Sequence, residues 1–233
     1  MLLDLIWPRR CELCSRLCDR PRRHVYWSCL AKLPVLSADG CEVCGRDIGG
    51  AYGRVCDDCK GQDRPHFDRA ASALRFEGDA REMVLDYKFH GHIWIRDDLV
   101  DWLEGAVRAR FAADAIDLVL PMPITFWHRI DRGYNQCEYL ADALARRIRR
   151  KCDARILRRT GSPRRQAGLS REERLVNVIG TFAVSRPELV RGRTILVVDD
   201  VMTTGATLSE CSKTLKQAGA WRVWCATVAR PSL

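Results

Sequence analysis

Apolar positions change their spacing near residue 60, and the change predicts two kinds of structure along the chain. Before it, apolar runs are too short to build a core. The polar stretch Lys60-Gly61-Gln62-Asp63-Arg64-Pro65 has the make-up of a linker, so a cysteine-rich segment is expected over 1–65 and a second unit over 66–233. In the second unit, strand patterns alternate with helical ones. Strands are predicted at Ala71–Phe76, Asp117–Leu120, Val178–Val184, Thr194–Val198 and Trp221–Val228. Helices are predicted at Asp79–Phe89, at Arg96–Phe111 with Leu99, Trp102, Leu103, Ala106 and Val107 on one face, and at Asn135–Arg150. A last helix, Gly205–Ala218, turns Leu208, Cys211 and Leu215 inward and stops at Gly219. Thr194–Val198 is a continuous apolar run, as expected of a parallel strand covered on both faces. The expected fold class is α/β, a mainly parallel sheet flanked by helices. The pattern shows no internal repeat.

Composition narrows the setting. With 233 residues, 47% apolar and 30% charged, the chain is long enough for one ordinary domain plus a small accessory and reads as a folded protein. Met1–Ile6 is too short for a secretory apolar region and is interrupted by Asp4, and no run approaches the ~20 apolar residues of a membrane span. A cytoplasmic protein without membrane insertion is expected. Of the 12 cysteines, eight lie at or before Cys59, and in a reducing compartment their paired spacing reads as metal ligation rather than disulfides.

Cys41-x-x-Cys44 and Cys56-x-x-Cys59 form two knuckles of the kind that hold a tetrahedral zinc ion. Structural zinc supplies roughly 10–16 kcal/mol of apparent binding energy in finger peptides, enough to order a segment with almost no core. A second site is expected around Cys11-x-x-Cys14 and Cys29, but the residue three before Cys29 is Tyr26. Its fourth ligand is either Cys18 or His24. With four protein ligands, neither site has the open position of a catalytic zinc.

The stretch from Ile195 to Leu208 carries the chemistry: a buried strand, the carboxylates Asp199 and Asp200, a hydroxyl-rich turn and a helix start. Ligands of open α/β sheets bind at the carboxyl ends of strands. Thr203, Thr204, Gly205, Ala206 and Thr207 offer amides and hydroxyls suited to a phosphate, whereas the two acids would repel one and must face hydroxyls instead. A ligand with vicinal hydroxyls at one end and a phosphate a few ångströms away is a 5-phosphoribosyl group. The string lacks the Gly-Lys-Ser/Thr ending of a Walker loop and the Gly-x-Gly-x-x-Gly dinucleotide turn.

This string resembles the phosphoribosyl diphosphate signature of type I phosphoribosyltransferases. The whole chain is similar to the ComF family of competence-associated proteins, which join a zinc ribbon to that fold. The likeness runs through the cysteine knuckles, Tyr87-Lys88-Phe89-His90-Gly91, Pro121-Met122-Pro123, Arg129-x-x-Arg132-Gly133-Tyr134-Asn135-Gln136, Arg159-Thr160, Gln166-Ala167-Gly168-Leu169, Arg174-x-x-Asn177 and the acidic loop. The resemblance implies binding of phosphoribosyl diphosphate with Mg²⁺ and transfer of the phosphoribosyl group to an unidentified acceptor. It implies that Asp199 and Asp200 act in catalysis and bind ribose, with Val201, Met202 and Thr203–Thr207 completing the phosphoribosyl site. Arg129 and Arg132 then stand as candidates to meet diphosphate. Residues 160–177 resemble a lid, with Arg164, Arg165 and Arg174 as further candidates, and Tyr87, Lys88 and His90 are placed to approach the acceptor. Cys137 and Cys211 fall at helix-face positions consistent with packing.

Lys+Arg 39 against Asp+Glu 30 gives a net charge of +9. The excess is concentrated between Ala143 and Leu175, a basic stretch that suits diphosphate, single-stranded DNA or plain solvation. Through the resemblance, DNA uptake and natural transformation enter, with single-stranded DNA and DNA-uptake or helicase proteins as partners. Three readings follow: a phosphoribosyltransferase, a DNA-binding competence or repair factor whose phosphoribosyl pocket acts as a switch, and a sensor without turnover.

Overall fold

A computed structural model describes residues 8–49, 54–61, 64–160 and 179–232. Their elements, in chain order, begin with two single-turn helices in the cysteine-rich segment, α1 (Trp27–Leu30) and α2 (Asp57–Lys60). There follow β1 (Arg69–Arg75), α3 (Gly78–Phe89), α4 (Arg96–Arg110), β2 (Leu118–Pro121), α5 (Phe126–Arg132) and α6 (Gln136–Arg147). The remainder comprises β3 (Lys151–Cys152), β4 (Leu157–Arg159), β5 (Phe182–Val184), β6 (Thr194–Val201), α7 (Ala206–Gln217) and β7 (Arg222–Arg230).

The main sheet has the order β1-β7-β6-β2-β3 with every pairing parallel. Strand β6 is central because its first five residues are all buried, so it can sit only where both faces are covered. Alternation divides those residues between two cores. Leu196 and Val198 join Leu99, Leu103 and Val107 of α4 and Leu140 and Leu144 of α6, while Ile195 and Val197 join Leu208, Cys211 and Leu215 of α7 on the other face. The carboxyl end of β6 thereby opens between α6 and α7.

The predicted elements recur within a few residues of their expected bounds, and five short ones, α1, α2, α5, β3 and β4, were not foreseen. Helix α5 lies in the stretch read as a loop: among its described side chains, Trp127 and Ile130 are exposed, so they give no inward stripe for periodicity to read. Strands β4 and β5 pair antiparallel as a separate two-stranded sheet. The proposed lid, 160–177, lies outside the described residues but for Thr160, as do Arg164, Arg165 and Arg174. Among the described residues, no helix is long and apolar enough to cross a membrane.

The expectation that the cysteine-rich segment has no core needs revision. Val25, Leu30 and Leu33 are buried against the α4 side of the sheet, and Val43 with the second knuckle pair against the α7 side. Between them the chain runs antiparallel to β1, with Leu36 N–H donating to Ala73 O at 2.9 Å and Arg75 N–H to Pro34 O at 2.8 Å. The segment so covers the sheet edge that β1 would expose. Guanidinium groups of the larger unit satisfy its turn carbonyls: Arg110 donates to Ala38 O at 2.6 Å and Cys41 O at 2.7 Å, and Arg230 donates to Cys44 O at 2.6 Å.

The expectation of no internal repeat is overturned. Among the described residues, 11–31 and the segments 41–49 and 54–61 follow one backbone plan thirty positions apart. Cys11 N–H donates to Arg16 O and Cys41 N–H to Arg46 O, both at 2.7 Å; Ser15 and Gly45, in left-handed conformation, donate to Cys11 O and Cys41 O, both at 2.8 Å. Glu12 N–H reaches His24 O at 3.0 Å and Glu42 N–H reaches Arg54 O at 3.2 Å, and each copy ends in one helical turn, α1 or α2. Side-chain identities are shared at few positions beyond the cysteines, Glu12/Glu42 and Arg16/Arg46, so the repeat lies in the backbone more than in the letters.

A carboxylate cluster at the start of α4 clamps the first copy. Asp98, fully buried, accepts from Arg20 at 3.2 Å and from the His24 amide at 2.9 Å, while Arg23 donates to Asp101 at 2.8 Å. Replacing Asp98 by Ala leaves buried donors without their acceptor, and urea unfolding should show a loss of about 3 kcal/mol. A change under about 1 kcal/mol would mean that the clamp does not hold the segment.

Candidate functional site

The acidic pair sits where β6 leaves the sheet. Its two carboxylates are held differently because adjacent strand residues point to opposite faces. Asp200, buried, accepts from Lys88 Nζ at 2.9 Å on Oδ1 and 2.8 Å on Oδ2, from Gln136 Nε2 at 2.9 Å and from the Val201 amide at 2.7 Å. Burial works to raise its pKa, but the Lys88 ammonium and these hydrogen bonds outweigh it and hold the carboxyl below its usual range. Asp199 accepts on Oδ1 from the Asp200 amide at 2.8 Å and from Cys137 Sγ at 3.3 Å. Burial, then the Asp200 charge, push its pKa up to about 6.

The chain then turns. Gly205 has φ +80°, a conformation that L side chains rarely adopt, and α7 begins at the next residue with no side-chain cap on its first amides from that position. Thr204 Oγ1 accepts from the Ala206 amide at 3.3 Å. Asp199 and the residues from Val201 to Leu208, Met202, Thr203 and Thr207 among them, line a cavity of about 40 Å³. Amides at a helix start beside small hydroxyl residues suit a phosphate. A larger cavity, about 280 Å³, shares no lining residue with this one and lies between the ribbon and α4. It is lined by Asp39, Glu42, Arg69 and Arg110, and Arg110 is already spent on ribbon carbonyls.

The other candidates are dispersed. Lys88 joins the site, but as the partner of Asp200. Tyr87 is buried, with its hydroxyl donating to Gln136 O at 2.8 Å and its own carbonyl accepting from Tyr134 Oη at 3.0 Å. His90 lies on the surface with Nδ1 2.8 Å from Asp86. On α5, Arg129 donates to both carboxylate oxygens of Glu138, at 3.2 and 3.3 Å, and the Arg132 guanidinium lies 4.8 Å from the Phe89 ring centroid. Several arginines of the basic stretch are likewise engaged: Arg146 with Asp142, Arg147 with Asp101, Arg150 with Asp114 and Arg155 with Asp153.

Sequence reasoning missed two contacts with the acids. Gln136 reaches Asp200 because Asn135 caps α6, its side chain accepting from the Cys137 amide at 3.0 Å, and so fixes where the helix starts. Cys137 packs as expected, and its thiol also meets Asp199. Gln136 stands in the string that carried the resemblance, which was the available signal. Nothing in spacing distinguishes Cys137 from an ordinary core residue.

In the ribbon, the sulfurs of Cys41, Cys44, Cys56 and Cys59 lie within 4.8 Å of one another, a complete tetrahedral donor set that fits structural zinc. The Cys56 amide donates to Cys41 Sγ at 3.3 Å, as thiolate turns do. Cys11, Cys14 and Cys29 form a second group within the same limit, and neither Cys18 nor His24 belongs to it.

A parallel sheet whose central strand ends in two carboxylates and turns through a left-handed glycine into a helix is a type I phosphoribosyltransferase fold, and here it carries an N-terminal zinc ribbon. The phosphoribosyl transferase domain family matches residues 134–232, and the double zinc ribbon domain family matches residues 2–60. The chain belongs to the competence protein F family. It is 31% identical over 184 residues to Competence protein F of Haemophilus influenzae, covering 77% of this chain and 79% of that protein. It is 24% identical over 208 residues to Competence protein ComFC of Bacillus subtilis, covering 86% of this chain and 81% of that one. With the DNA utilization protein YhgH of Escherichia coli K12 it shares 33% identity over 111 residues, about half of each chain at 47% and 48%.

The raised pKa of Asp199 has a consequence for stability. The folded state holds this proton more tightly than the unfolded chain does, so the group's stabilising contribution is complete below its unfolded pKa and is lost as pH rises through about 6. Urea unfolding of the parent and Asp199→Asn at pH 4.5 to 7.5 should show the parent losing stability relative to the variant across that window. Parallel curves would contradict the assignment.

Proposed function

We propose that the chain binds 5-phosphoribosyl 1-diphosphate at the carboxyl end of β6 and transfers its phosphoribosyl group to an acceptor in the service of DNA uptake. The observation that carries this reading is the junction of an acidic pair with a hydroxyl-lined helix start around one small cavity. Asp199 accepts from ribose hydroxyls and the Thr203–Thr207 turn holds the 5-phosphate. In the transfer, the acceptor's lone pair forms the new bond to C1 as the C1–O bond to diphosphate breaks, and diphosphate leaves with that bonding pair. Positioning and charge screening are the protein's share.

Magnesium fits as an ion that enters on the ligand's own oxygens. Both oxygens of Asp200 already accept hydrogen bonds, so Asp199 is the carboxylate left to face it. When bound, the ion would screen the charge that develops on departing diphosphate. In this reading the ribbon, residues 1–65, is the part that meets single-stranded DNA and DNA-uptake or helicase proteins in the cytoplasm.

A second reading is a DNA-binding competence or repair factor that uses the pocket as a sensor. It is favoured by Asp200, which spends both oxygens inside the protein and leaves a single carboxylate for the sugar, an arrangement that suits a binder as well as a catalyst.

Calorimetric titration with phosphoribosyl diphosphate and Mg²⁺ tests the shared premise. The parent protein should bind, and Asp199→Asn should weaken binding about tenfold, since hydrogen bonds to a charged group contribute ~1.5–3 kcal/mol. Absence of binding by the parent would overturn both readings. Binding with acceptor-dependent diphosphate release selects the transferase. Binding without consumption, together with DNA affinity that falls steeply with salt, selects the sensor.

A further inference from the structure

The two ribbon copies differ at one ligand position. Tyr26 occupies in the first copy the place that Cys56 holds in the second: its amide donates to Cys11 Sγ at 3.2 Å, as the Cys56 amide donates to Cys41 Sγ at 3.3 Å. The following turn then brings Cys29 to the position of Cys59. The sulfurs of Cys11, Cys14 and Cys29 gather within 4.8 Å just as the other four do, so the backbone has kept the geometry of a metal site with one thiolate removed. The Tyr26 ring lies beneath the Arg16 guanidinium, 6.0 Å from its centroid.

Neither Cys18 nor His24 brings a side-chain ligand atom into that group. Cys18 belongs to the arm in which its amide donates to Arg9 O at 2.9 Å and Leu17 bridges Arg10. His24 corresponds to Arg54, which is no ligand in the second copy, and its main chain is held between Glu12 and Asp98. Cys11 is buried, Cys29 half-buried and Cys14 exposed, so the group reaches solvent through Cys14.

We propose that Cys11, Cys14 and Cys29 form a three-thiolate zinc site whose fourth position is open to a small Lewis base from solution, a water that an exogenous thiol displaces. A closed four-thiolate zinc has no position for an incoming ligand, whereas three protein ligands plus water leave the metal accessible. The ribbon therefore carries one structural zinc and one exchangeable zinc.

Zinc release to a chromogenic chelator from the zinc-loaded full-length protein tests this. Two zinc ions per chain should leave in separate phases, one about 10- to 100-fold faster than the other. Tyr26→Cys should slow the fast phase toward the slow one, and Cys14→Ser should abolish it and keep the slow one; if Cys14→Ser does not fold, Tyr26→Cys carries the test. In cobalt-loaded protein, added thiol should shift the visible spectrum of the parent and leave that of Tyr26→Cys unchanged, while absence of that shift shows a closed site. The proposal is overturned if the parent retains a single zinc, or if both ions leave in one slow phase. Faster release from Tyr26→Phe, His24→Ala or Cys18→Ala would likewise overturn it, because each would reveal a fourth protein ligand.

Discussion

Two neighbouring carboxylates at the end of a strand buried on both faces repel each other in a medium that screens charge poorly. Here the conflict is resolved by Lys88, which reaches from the end of α3 to both oxygens of Asp200. The ion pair, with Gln136 from the start of α6, fixes three elements around the carboxyl end of β6. With Asp200 held ionised by Lys88 and Gln136, burial and the Asp200 charge keep Asp199 protonated into mildly acidic solution, so that it is the member of the pair whose charge responds to its surroundings.

The ribbon solves a different problem. A parallel sheet needs both faces covered and its edges blocked, and β1 lies at an edge of this one. The cysteine-rich segment wraps that edge, sending its first copy to one face and its second copy to the other. Its own apolar content is too small for an independent core, so metal ligation and borrowed burial act together. The arginines that close its turn carbonyls come from α4 and β7, which ties the fold of the small module to that of the large one.

Much of this was legible from the chain. Periodicity placed the central strand and the helices that flank it, because burial on both faces leaves an unbroken apolar run and one-sided burial leaves a 3.6-residue stripe. The acidic pair, the hydroxyl turn and the Cys41–Cys59 set were also legible, since ligands close together in sequence need no folding to become neighbours. Helix α5 was hidden because its described apolar side chains, Trp127 and Ile130, are exposed, and the ribbon repeat was hidden because it is written in hydrogen bonds and turn conformations, with few shared side chains.

What sequence alone determined is therefore local: the order of elements, the four-cysteine zinc set and the chemistry offered by the β6–α7 turn. Tertiary structure decided everything that depends on distant segments meeting. It made Lys88 the counterion of Asp200 across 112 positions, turned Gln136 and Cys137 toward the acids, and left Cys18 and His24 outside the first sulfur group. The reason is physical. A side chain's type limits what it can bond, but its protonation and its partner are set by the burial and charge that only the packed chain supplies.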